Sequence, residues 1–204
     1  ITFTNAAKDE IIQRTARNPL IHVSTIHDFL WRTIKPYQKA LKQALIKHNA
    51  GLKSDSKRKC DEQELLKALE SFEISYSDTG AKFLEGRIFH NDLLDVARLV
   101  FEDNKLMSQI IVARHPFIFV DEYQDTSKSV IEILIDHVLK GNEDRVVIGF
   151  FGDKLQNIYH TNPHPGIGRI PDEQGKLLQL ITKEENYRCS QAIINLLNNI
   201  LDFR

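Results

Sequence analysis

The sequence of 204 residues has little cysteine and no long hydrophobic run. Its two cysteines, Cys60 and Cys189, lie far apart and do not indicate the disulfide framework of a small secreted domain, so a reducing, cytoplasmic setting is predicted. The apolar runs are much shorter than the roughly 20 residues that span a bilayer, and no secretory leader is recognisable. We therefore expect no association with a membrane.

Biased composition is missing as well. Nine glycines and six prolines, in a chain that is 42% hydrophobic and 27% charged, exclude collagen-like, low-complexity and disordered proteins. The length suits one large α/β domain or one domain that carries an insertion. Because the sequence starts at Ile1 and its single methionine is Met107, we expect the chain to be part of a longer protein.

Neither sign of charge dominates: the net charge is −1, so global charge gives no indication of nucleic-acid binding. The charges are nevertheless unevenly placed. Residues 35–59 contain eight basic side chains and one acidic one, whereas residues 60–103 contain eleven acidic and four basic side chains. A basic segment of this kind is typical of a phosphate-facing surface and equally of a solvated helix and loop, so both interpretations remain open.

Strand-like and helix-like segments alternate along the chain, which predicts a parallel α/β sheet. The apolar run 117–120 is typical of a strand buried on both faces of such a sheet, and 145–151 predicts a second buried strand. Residues 177–181 are a further candidate strand. Predicted helices begin at or just after Asn5, Thr25, Asn91, Ser127 and Ser190, and Gly141 ends the helix that follows Ser127.

Carboxylates follow both of the predicted buried strands. Asp121 and Glu122 come directly after the first strand, and Asp153 follows the second. Ligands of parallel sheets bind at the carboxyl ends of the strands. An ATPase needs a carboxylate there to hold Mg²⁺ and a second one to polarise the attacking water. On its own the pattern is also typical of a solvated sheet edge.

The surrounding residues favour the ATPase interpretation, because several segments together resemble the motifs of the UvrD/Rep-like superfamily-one DNA helicases in order and spacing. The likeness covers nearly the whole chain apart from residues 37–86. Three segments resemble the nucleotide-site motifs of that family, and three earlier ones resemble its single-strand-contact motifs and the stretch before the Walker B strand. They are DEYQDTS (121–127), GDKLQNIY (152–159) and ENYRCS (185–190), preceded by TFTNAA (2–7), STIHDF (24–29) and FHNDLL (89–94).

The resemblance implies an α/β fold: a RecA-like P-loop NTPase motor domain, with a parallel sheet flanked by helices and a small helical insertion. ATP and Mg²⁺ are the implied cofactors, and single-stranded or partly duplex DNA is the implied partner. No protein partner is indicated. The implied divisions are 1–36 for the first part of motor domain 1A, 37–86 for an inserted 1B-like subdomain, 87–185 for the remainder of 1A, and 186–204 for the start of the second motor domain or a linker.

The resemblance also implies roles at the ATP site. Asp121 would hold Mg²⁺ and Glu122 would be the general base for hydrolysis. Gln156 would sense the γ-phosphate or its attacking water. Tyr187 would stack on adenine and Arg188 would reach the γ-phosphate, although local packing before the Ser190 helix accounts for these two residues equally well.

A second set of residues is implied for single-stranded DNA. Phe3 and Asn5 would contact the strand, and Thr25 and His27 would meet its phosphates. Stacking on an aromatic ring suits binding that ignores sequence, because every base has a π-face. Tyr159 would couple the nucleotide-sensing glutamine to the DNA groove. As alternatives, Phe3 would be a core residue of the opening strand and His27 an ordinary residue at a helix start.

The sequence departs from the family at three places. It has no Gly-x-x-x-x-Gly-Lys-Ser/Thr loop, which in the family would precede Ile1, so we expect residues 1–204 alone not to hydrolyse ATP. The later motifs of the second motor domain would lie beyond Arg204. The Arg-Trp-Arg-Gly stretch of the family, whose tryptophan stacks on a base, is replaced by His-Thr-Asn-Pro at 160–163.

Three functions remain as hypotheses. The first is the ATPase core of a DNA helicase or translocase in repair, replication or recombination; relatives in this family mostly move 3′ to 5′ on single-stranded DNA. The second is the motor part of a recombination helicase–nuclease. The third, from a different class, is a non-catalytic DNA-binding scaffold derived from a helicase. A phosphate-binding loop upstream of Ile1 would separate the third hypothesis from the other two.

Overall fold

The computed structural model describes residues 1–153, 156, 167, 170, 175–183 and 189–202, which combine helices with small parallel sheets. None of the helices in these ranges is long and apolar enough to cross a membrane. The helices are α1 (Asn5–Arg14), α2 (Ile26–Ile34), α3 (Gln38–Gly51), α4 (Glu62–Ser71), α5 (His90–Asp103), α6 (Leu106–Arg114), α7 (Lys128–Ile131, continued by a π-helix, Glu132–Leu139) and α8 (Gln191–Asp202). The strands are β1 (Ser75–Tyr76), β2 (Arg87–Ile88), β3 (Phe117–Val120) and β4 (Val147–Phe150), and 3₁₀ turns occupy Phe83–Glu85 and Tyr123–Asp125.

Strands β3 and β4 form a parallel pair, with Phe117 opposite Val147 and Val120 opposite Phe150. A parallel pair needs a crossover connection, and α7 with its π-helical continuation supplies it. The π-helix packs against β4. The predicted parallel pairing of these two apolar runs is therefore confirmed. The second strand is shorter than residues 145–151, and its expected burial is wrong, because Val147 is 53% exposed and the rest of β4 is half-buried.

The first residues of the chain lie along the other edge of β3. The Ile1 nitrogen donates to the Phe119 carbonyl at 2.6 Å, and the Asp121 N–H donates to the Ile1 carbonyl at 3.0 Å. Thr2 in turn forms a parallel bridge with Thr25. Four parallel segments therefore lie side by side in the order Thr25, Thr2, β3, β4.

The expectation that β3 is buried on both faces is wrong for the described part of the chain. Ile118 and Val120 are 3% and 0% exposed, but Phe117 and Phe119 are 65% and 50% exposed. Successive side chains of a strand point to opposite faces, and the described helices cover only one of them. A run that is apolar on both faces cannot by itself reveal which face is covered.

The third candidate strand, residues 177–181, is also wrong. Within the described residues 175–183 a turn is followed by irregular chain, and no strand pairing occurs there. Leu180 and Ile181 are 87% and 82% exposed. Among the described residues the apolar run has no neighbouring strand with which to share backbone hydrogen bonds, so apolar character alone does not make it a strand.

Most of the predicted helix boundaries are confirmed. Thr25 caps α2, since its hydroxyl accepts from the Asp28 N–H at 3.2 Å, and Gly141 ends the π-helix with φ +82. The start of α5 differs from the prediction. Asp92, not Asn91, caps the start of α5. Its Oδ2 accepts from the Phe89 N–H at 3.1 Å, and the helix begins at His90.

One hydrophobic core joins the helices of the proposed insertion, α3 and α4, to the helices α2 and α5 that precede and follow it. Helix α3 packs against α4 and α5, and α5 also packs against α2. Burying one leucine side chain contributes about 1.5–3 kcal/mol, so this shared core is a major source of stability. Its fully buried members include Leu30, Ile34, Leu41, Leu45, Leu65, Leu93, Val96 and Val100.

Three basic side chains of the segment 35–59 bind other groups of the same chain. Lys47 Nζ binds the Asp103 carboxylate at 2.6 Å, and Arg58 binds the Asp92 carboxylate. Lys59 Nζ donates to the Leu52 carbonyl at 2.7 Å. These three cations stabilise the chain's own helices and loop, which favours the structural interpretation for them.

Candidate functional site at the strand ends

The carboxylates predicted at the strand ends lie on adjacent chain segments. Backbone hydrogen bonds continue past the ends of β3 and β4: the Phe151 N–H donates to the Val120 carbonyl at 2.8 Å, and the Tyr123 N–H donates to the Phe151 carbonyl at 3.1 Å. Asp121 is half-buried and Glu122 is exposed. The predicted convergence of the two strand ends at one edge of the sheet is therefore observed.

Glu122 has a left-handed backbone conformation with φ +51. For a residue with a side chain this conformation costs roughly 1–2 kcal/mol, and such strain is found preferentially at functional sites. The chain then turns through the 3₁₀ segment Tyr123–Asp125, in which the Asp125 N–H donates to the Glu122 carbonyl at 3.1 Å. The strand therefore ends in a sharp turn directly after Asp121.

Gln124 connects the two strand ends, and sequence reasoning missed it. This side chain is 1% exposed; its Nε2 donates to Glu122 Oε2 at 2.5 Å, and its Oε1 accepts from the Asp153 N–H at 3.2 Å. The pairing spans 29 residues of sequence. The available signals were an amide two positions after Glu122 and a glycine, Gly152, just before Asp153.

Gln156 joins the same group of residues at its exposed side. Its N–H donates to the Asp153 carbonyl at 2.9 Å, and its Nε2 donates to Asp153 Oδ2 at 3.1 Å. Hydrogen bonds therefore connect Glu122, Gln124, Asp153 and Gln156. The other predicted residues of the nucleotide site and its coupling, Tyr159, Tyr187 and Arg188, lie outside the described residues.

The predicted magnesium ligand fits the chemistry of that ion. Mg²⁺ prefers oxygen ligands and is usually held by one or two carboxylates together with waters and substrate phosphates. Asp121 supplies one carboxylate at the sheet edge, next to the exposed Glu122. No cluster of three or more His, Cys, Asp or Glu that could hold a metal occurs among the described residues.

The residues predicted to contact DNA follow the two neighbouring parallel segments. Phe3 and Asn5 come after Thr2, and His27 comes after Thr25, so the Thr2–Thr25 bridge brings both groups together. Asn5 is exposed in the first turn of α1. Phe3 is half-buried and packs against the core, which also agrees with its alternative structural role.

Two aromatic side chains, Tyr76 and His90, lie next to His27, and the sequence did not indicate that they belong to this group of residues. The His27 ring lies 4.6 Å from the His90 ring and stacks with Tyr76 at 6.5 Å, and the Tyr76 hydroxyl is hydrogen-bonded to His90 Nδ1. Burial, together with the carboxylates of Asp28 and Asp78, raises the pKa of Tyr76 to about 12. Tyr76 therefore remains protonated, and uncharged, at neutral pH.

Comparisons with known proteins agree with these observations. The Gabija protein GajB of Bacillus cereus (strain HuB5-5) is 28% identical over 98% of this chain and 41% of its own length. An ATP-dependent helicase/nuclease component of Streptococcus mutans serotype c is 24% identical over 67% of this chain and 11% of its own length. The ATP-dependent DNA helicase Rep of Buchnera aphidicola is 27% identical over 54% of this chain and 17% of its own length.

The chain thus spans about two fifths or less of the length of these relatives. The family model described as the UvrD/REP helicase N-terminal domain matches residues 39–161, more than half of the chain. The resemblance seen in the sequence is confirmed: the chain belongs to the UvrD/REP helicase N-terminal domain family.

Proposed function

We propose that the full-length protein is a cytoplasmic ATP-dependent DNA helicase or translocase that moves 3′ to 5′ on single-stranded DNA in repair, replication or recombination. Membership of the helicase family supports DNA helicase activity in general. The observation that carries the proposal is the hydrogen-bonded group of Glu122, Gln124, Asp153 and Gln156 at the ends of β3 and β4.

The proposed architecture is a RecA-like motor domain formed by residues 1–36 and 87–185, interrupted by a helical subdomain at 37–86 and followed by the start of a second motor domain. The four parallel segments around β3 support it. Because α3 and α4 share the core of α5, the proposed insertion would be packed closely on the motor domain.

At the nucleotide site, each proposed role follows from the position and chemistry of the side chain. Asp121 would hold Mg²⁺, which supplies charge neutralisation on the phosphates when bound. Glu122 would accept the proton of the attacking water, and Gln156 would sense the γ-phosphate through its amide. Tyr187 and Arg188 keep the roles that the resemblance implies, adenine stacking and contact with the γ-phosphate.

The proposed DNA site lies on the sheet edge beside the nucleotide site. Phe3 would stack on a base, Asn5 would contact the strand, and Thr25 and His27 would meet phosphates. Phe3 and Asn5 follow the segment that adjoins β3, and His27 follows the next parallel segment, which pairs with Thr2. Tyr159 is the proposed link between the DNA contacts and the nucleotide site.

A strand-displacement experiment with the full-length protein tests the function. We expect ATP-dependent unwinding of a duplex that carries a 3′ single-stranded tail, and little unwinding of the same duplex with a 5′ tail. Unwinding of the 5′-tailed duplex alone would contradict the proposed direction. DNA binding without any ATP hydrolysis at saturating single-stranded DNA would favour the non-catalytic scaffold instead.

The motor part of a helicase–nuclease is the second candidate function. It is favoured by the similarity to the Streptococcus mutans protein, whose name describes it as part of a helicase/nuclease. Incubation of the full-length protein with linear duplex DNA, ATP and Mg²⁺ separates the candidates. Degraded strands would support the second function, and unwound but intact strands would support the first.

Residues 1–204 on their own should not hydrolyse ATP measurably. The sequence has no Gly-x-x-x-x-Gly-Lys-Ser/Thr loop, so the backbone amides and the lysine that surround the β- and γ-phosphates are missing from it. A phosphate-release assay with excess single-stranded DNA measures this. Turnover that disappears in the Glu122→Gln variant of the same segment would contradict the prediction.

Phe3→Ala in the full-length protein should weaken binding of single-stranded DNA by roughly 1–3 kcal/mol, the usual size of one lost base–aromatic stack. The loss should be similar for different base sequences, because stacking reads no hydrogen-bond pattern. Fluorescence anisotropy with labelled oligonucleotides measures it.

Phe117→Ala is the matched control for this experiment. Phe117 is 65% exposed and lies at the opposite, amino end of β3, so its removal should leave DNA affinity unchanged. Thermal unfolding of both variants tests the alternative role of Phe3 in the core. Wild-type affinity in a folded Phe3→Ala protein would remove Phe3 from the DNA site.

A further inference from the structure

The side chain of Gln124 is buried between the two strand ends, and both ends of its amide are hydrogen-bonded. Its Nε2 donates to Glu122 Oε2 and its Oε1 accepts from the Asp153 N–H. A buried amide that loses its partners is costly, so this arrangement is strongly favoured over one in which the side chain turns away. The amide is thus held in one orientation, in which it binds the Glu122 carboxylate.

Gly152 shows how closely the end of β4 packs against this amide. A Cβ atom at position 152 would lie 2.1 Å from Gln124 Oε1 and 2.9 Å from Tyr123 Cδ1. Both distances are too short for non-bonded contact, so a side chain at 152 would have to displace the Gln124 amide or the Tyr123 ring. The glycine is therefore required where the end of β4 approaches Gln124.

We infer that Gln124 is a positioning residue for ATP hydrolysis. Its Nε2–H holds one oxygen of the Glu122 carboxylate, which leaves Oε1 of Glu122 to accept the proton of the attacking water. The Oε1 of Gln124 accepts from the Asp153 N–H, so the amide connects the Glu122 carboxylate to the backbone after β4. Asp153 in turn accepts two hydrogen bonds from Gln156, through its side chain and its carbonyl. The inference rests on the proposed role of Glu122 as general base.

The arrangement also connects hydrolysis to the nucleotide-sensing segment. A movement of Gln156 that carries Asp153 with it would displace the Gln124 amide, and with it the Glu122 carboxylate. Hydrolysis would then require Asp153 and Gln156, in the segment after β4, to keep the positions in which they bind the Gln124 amide and each other. A catalytic group misplaced by about 1 Å can lose a factor on the order of 10² in rate, so a small displacement is sufficient.

Gln124→Ala in the full-length protein tests the inference. At saturating single-stranded DNA we expect kcat for ATP hydrolysis to fall by a factor on the order of 10 to 10², with KM for ATP nearly unchanged. Gln124→Glu keeps the size of the side chain but removes the donor, and it should lose kcat to at least the same extent. Gly152→Ala should give a similar loss because it displaces the amide.

Gln38→Ala is the matched structural control. The Gln38 side chain also bridges two segments, since its Nε2 donates to the Lys35 and Ile74 carbonyls and its Oε1 accepts from the Ile74 N–H. It lies outside the proposed site, so its loss should lower the melting temperature without lowering kcat. If both variants lowered kcat only in proportion to their melting temperature, Gln124 would be structural and the inference would be overturned.

Combination with Glu122→Gln distinguishes the inference from the proposed function. If Gln124 acts through Glu122, the Gln124→Ala change should cause no further loss of kcat in the Glu122→Gln background. Wild-type kcat in Gln124→Ala, beside an inactive Glu122→Gln, would overturn the inference alone. Full turnover in Glu122→Gln would overturn the proposed general base and the inference with it.

Discussion

Glu122→Gln in the full-length protein should reduce ATP turnover by a factor on the order of 10²–10⁴, the usual contribution of a general base, and should leave ATP binding largely intact. The amide has nearly the size of the carboxylate but cannot accept the proton of the attacking water. Because Asp121 rather than Glu122 is the proposed magnesium ligand, the nucleotide should still bind.

The strained turn at Glu122 adds a structural argument for this expectation. A left-handed glutamate is unfavourable, and here a hydrogen bond from a buried amide holds it on the outside of the strand end. A glutamate with no role in the site could be replaced by glycine, which adopts this conformation without strain. The carboxylate thus stands at this position at an energetic cost, and such strain is found preferentially at functional sites.

Steady-state ATPase assays with saturating single-stranded DNA measure the effect, and binding of a fluorescent ATP analogue measures affinity. Glu143→Gln is a suitable control, because Glu143 is another glutamate, lies in the loop before β4, and accepts a hydrogen bond from the Gly141 N–H. It should keep wild-type turnover. Near wild-type turnover in Glu122→Gln would show that another group acts as the base.

Local sequence signals predicted both ends of β3 and several helix ends correctly, because each depends on residues a few positions apart. Thr25 caps α2 through the Asp28 N–H, three residues later. The segments that carry the carboxylates after β3 and β4 are adjacent because parallel strands place their carboxyl ends at one edge. These predictions needed no knowledge of what packs on the sheet.

The errors and omissions concern contacts between distant residues. The exposure of Phe119 depends on which elements cover that face of β3, and the strand sequence carries no such information. The Gln124 amide is bonded across 29 residues to Asp153, so its role is invisible to any local pattern. Tyr159, Tyr187 and Arg188 lie outside the described residues, and their roles remain predictions.

Asp92 shows that a residue within a motif of the family can have a structural role. It lies in the FHNDLL segment and is 0% exposed. Its Oδ2 accepts from the Phe89 N–H at 3.1 Å, and its Oδ1 lies 3.2 Å from His48 Nε2 and also binds Arg58. One carboxylate therefore joins the start of α5 to α3 and to the loop before α4.

Asp92→Ala should lower the free energy of unfolding by about 3 kcal/mol, the lower end of the range for breaking a buried ion pair from one side. It leaves His48 and Arg58 without their carboxylate and removes the cap of α5. The value is at the lower end because the Arg58 side chain is 39% exposed and can be rehydrated. Asp92→Asn keeps an acceptor for the Phe89 N–H and should lose less.

Urea unfolding followed by circular dichroism measures the free energy of unfolding of both variants. Asp103→Ala is the control, since the exposed Lys47–Asp103 pair should contribute less than about 1 kcal/mol. Equal losses for Asp92→Ala and Asp103→Ala would show that the buried carboxylate does not hold these three segments together.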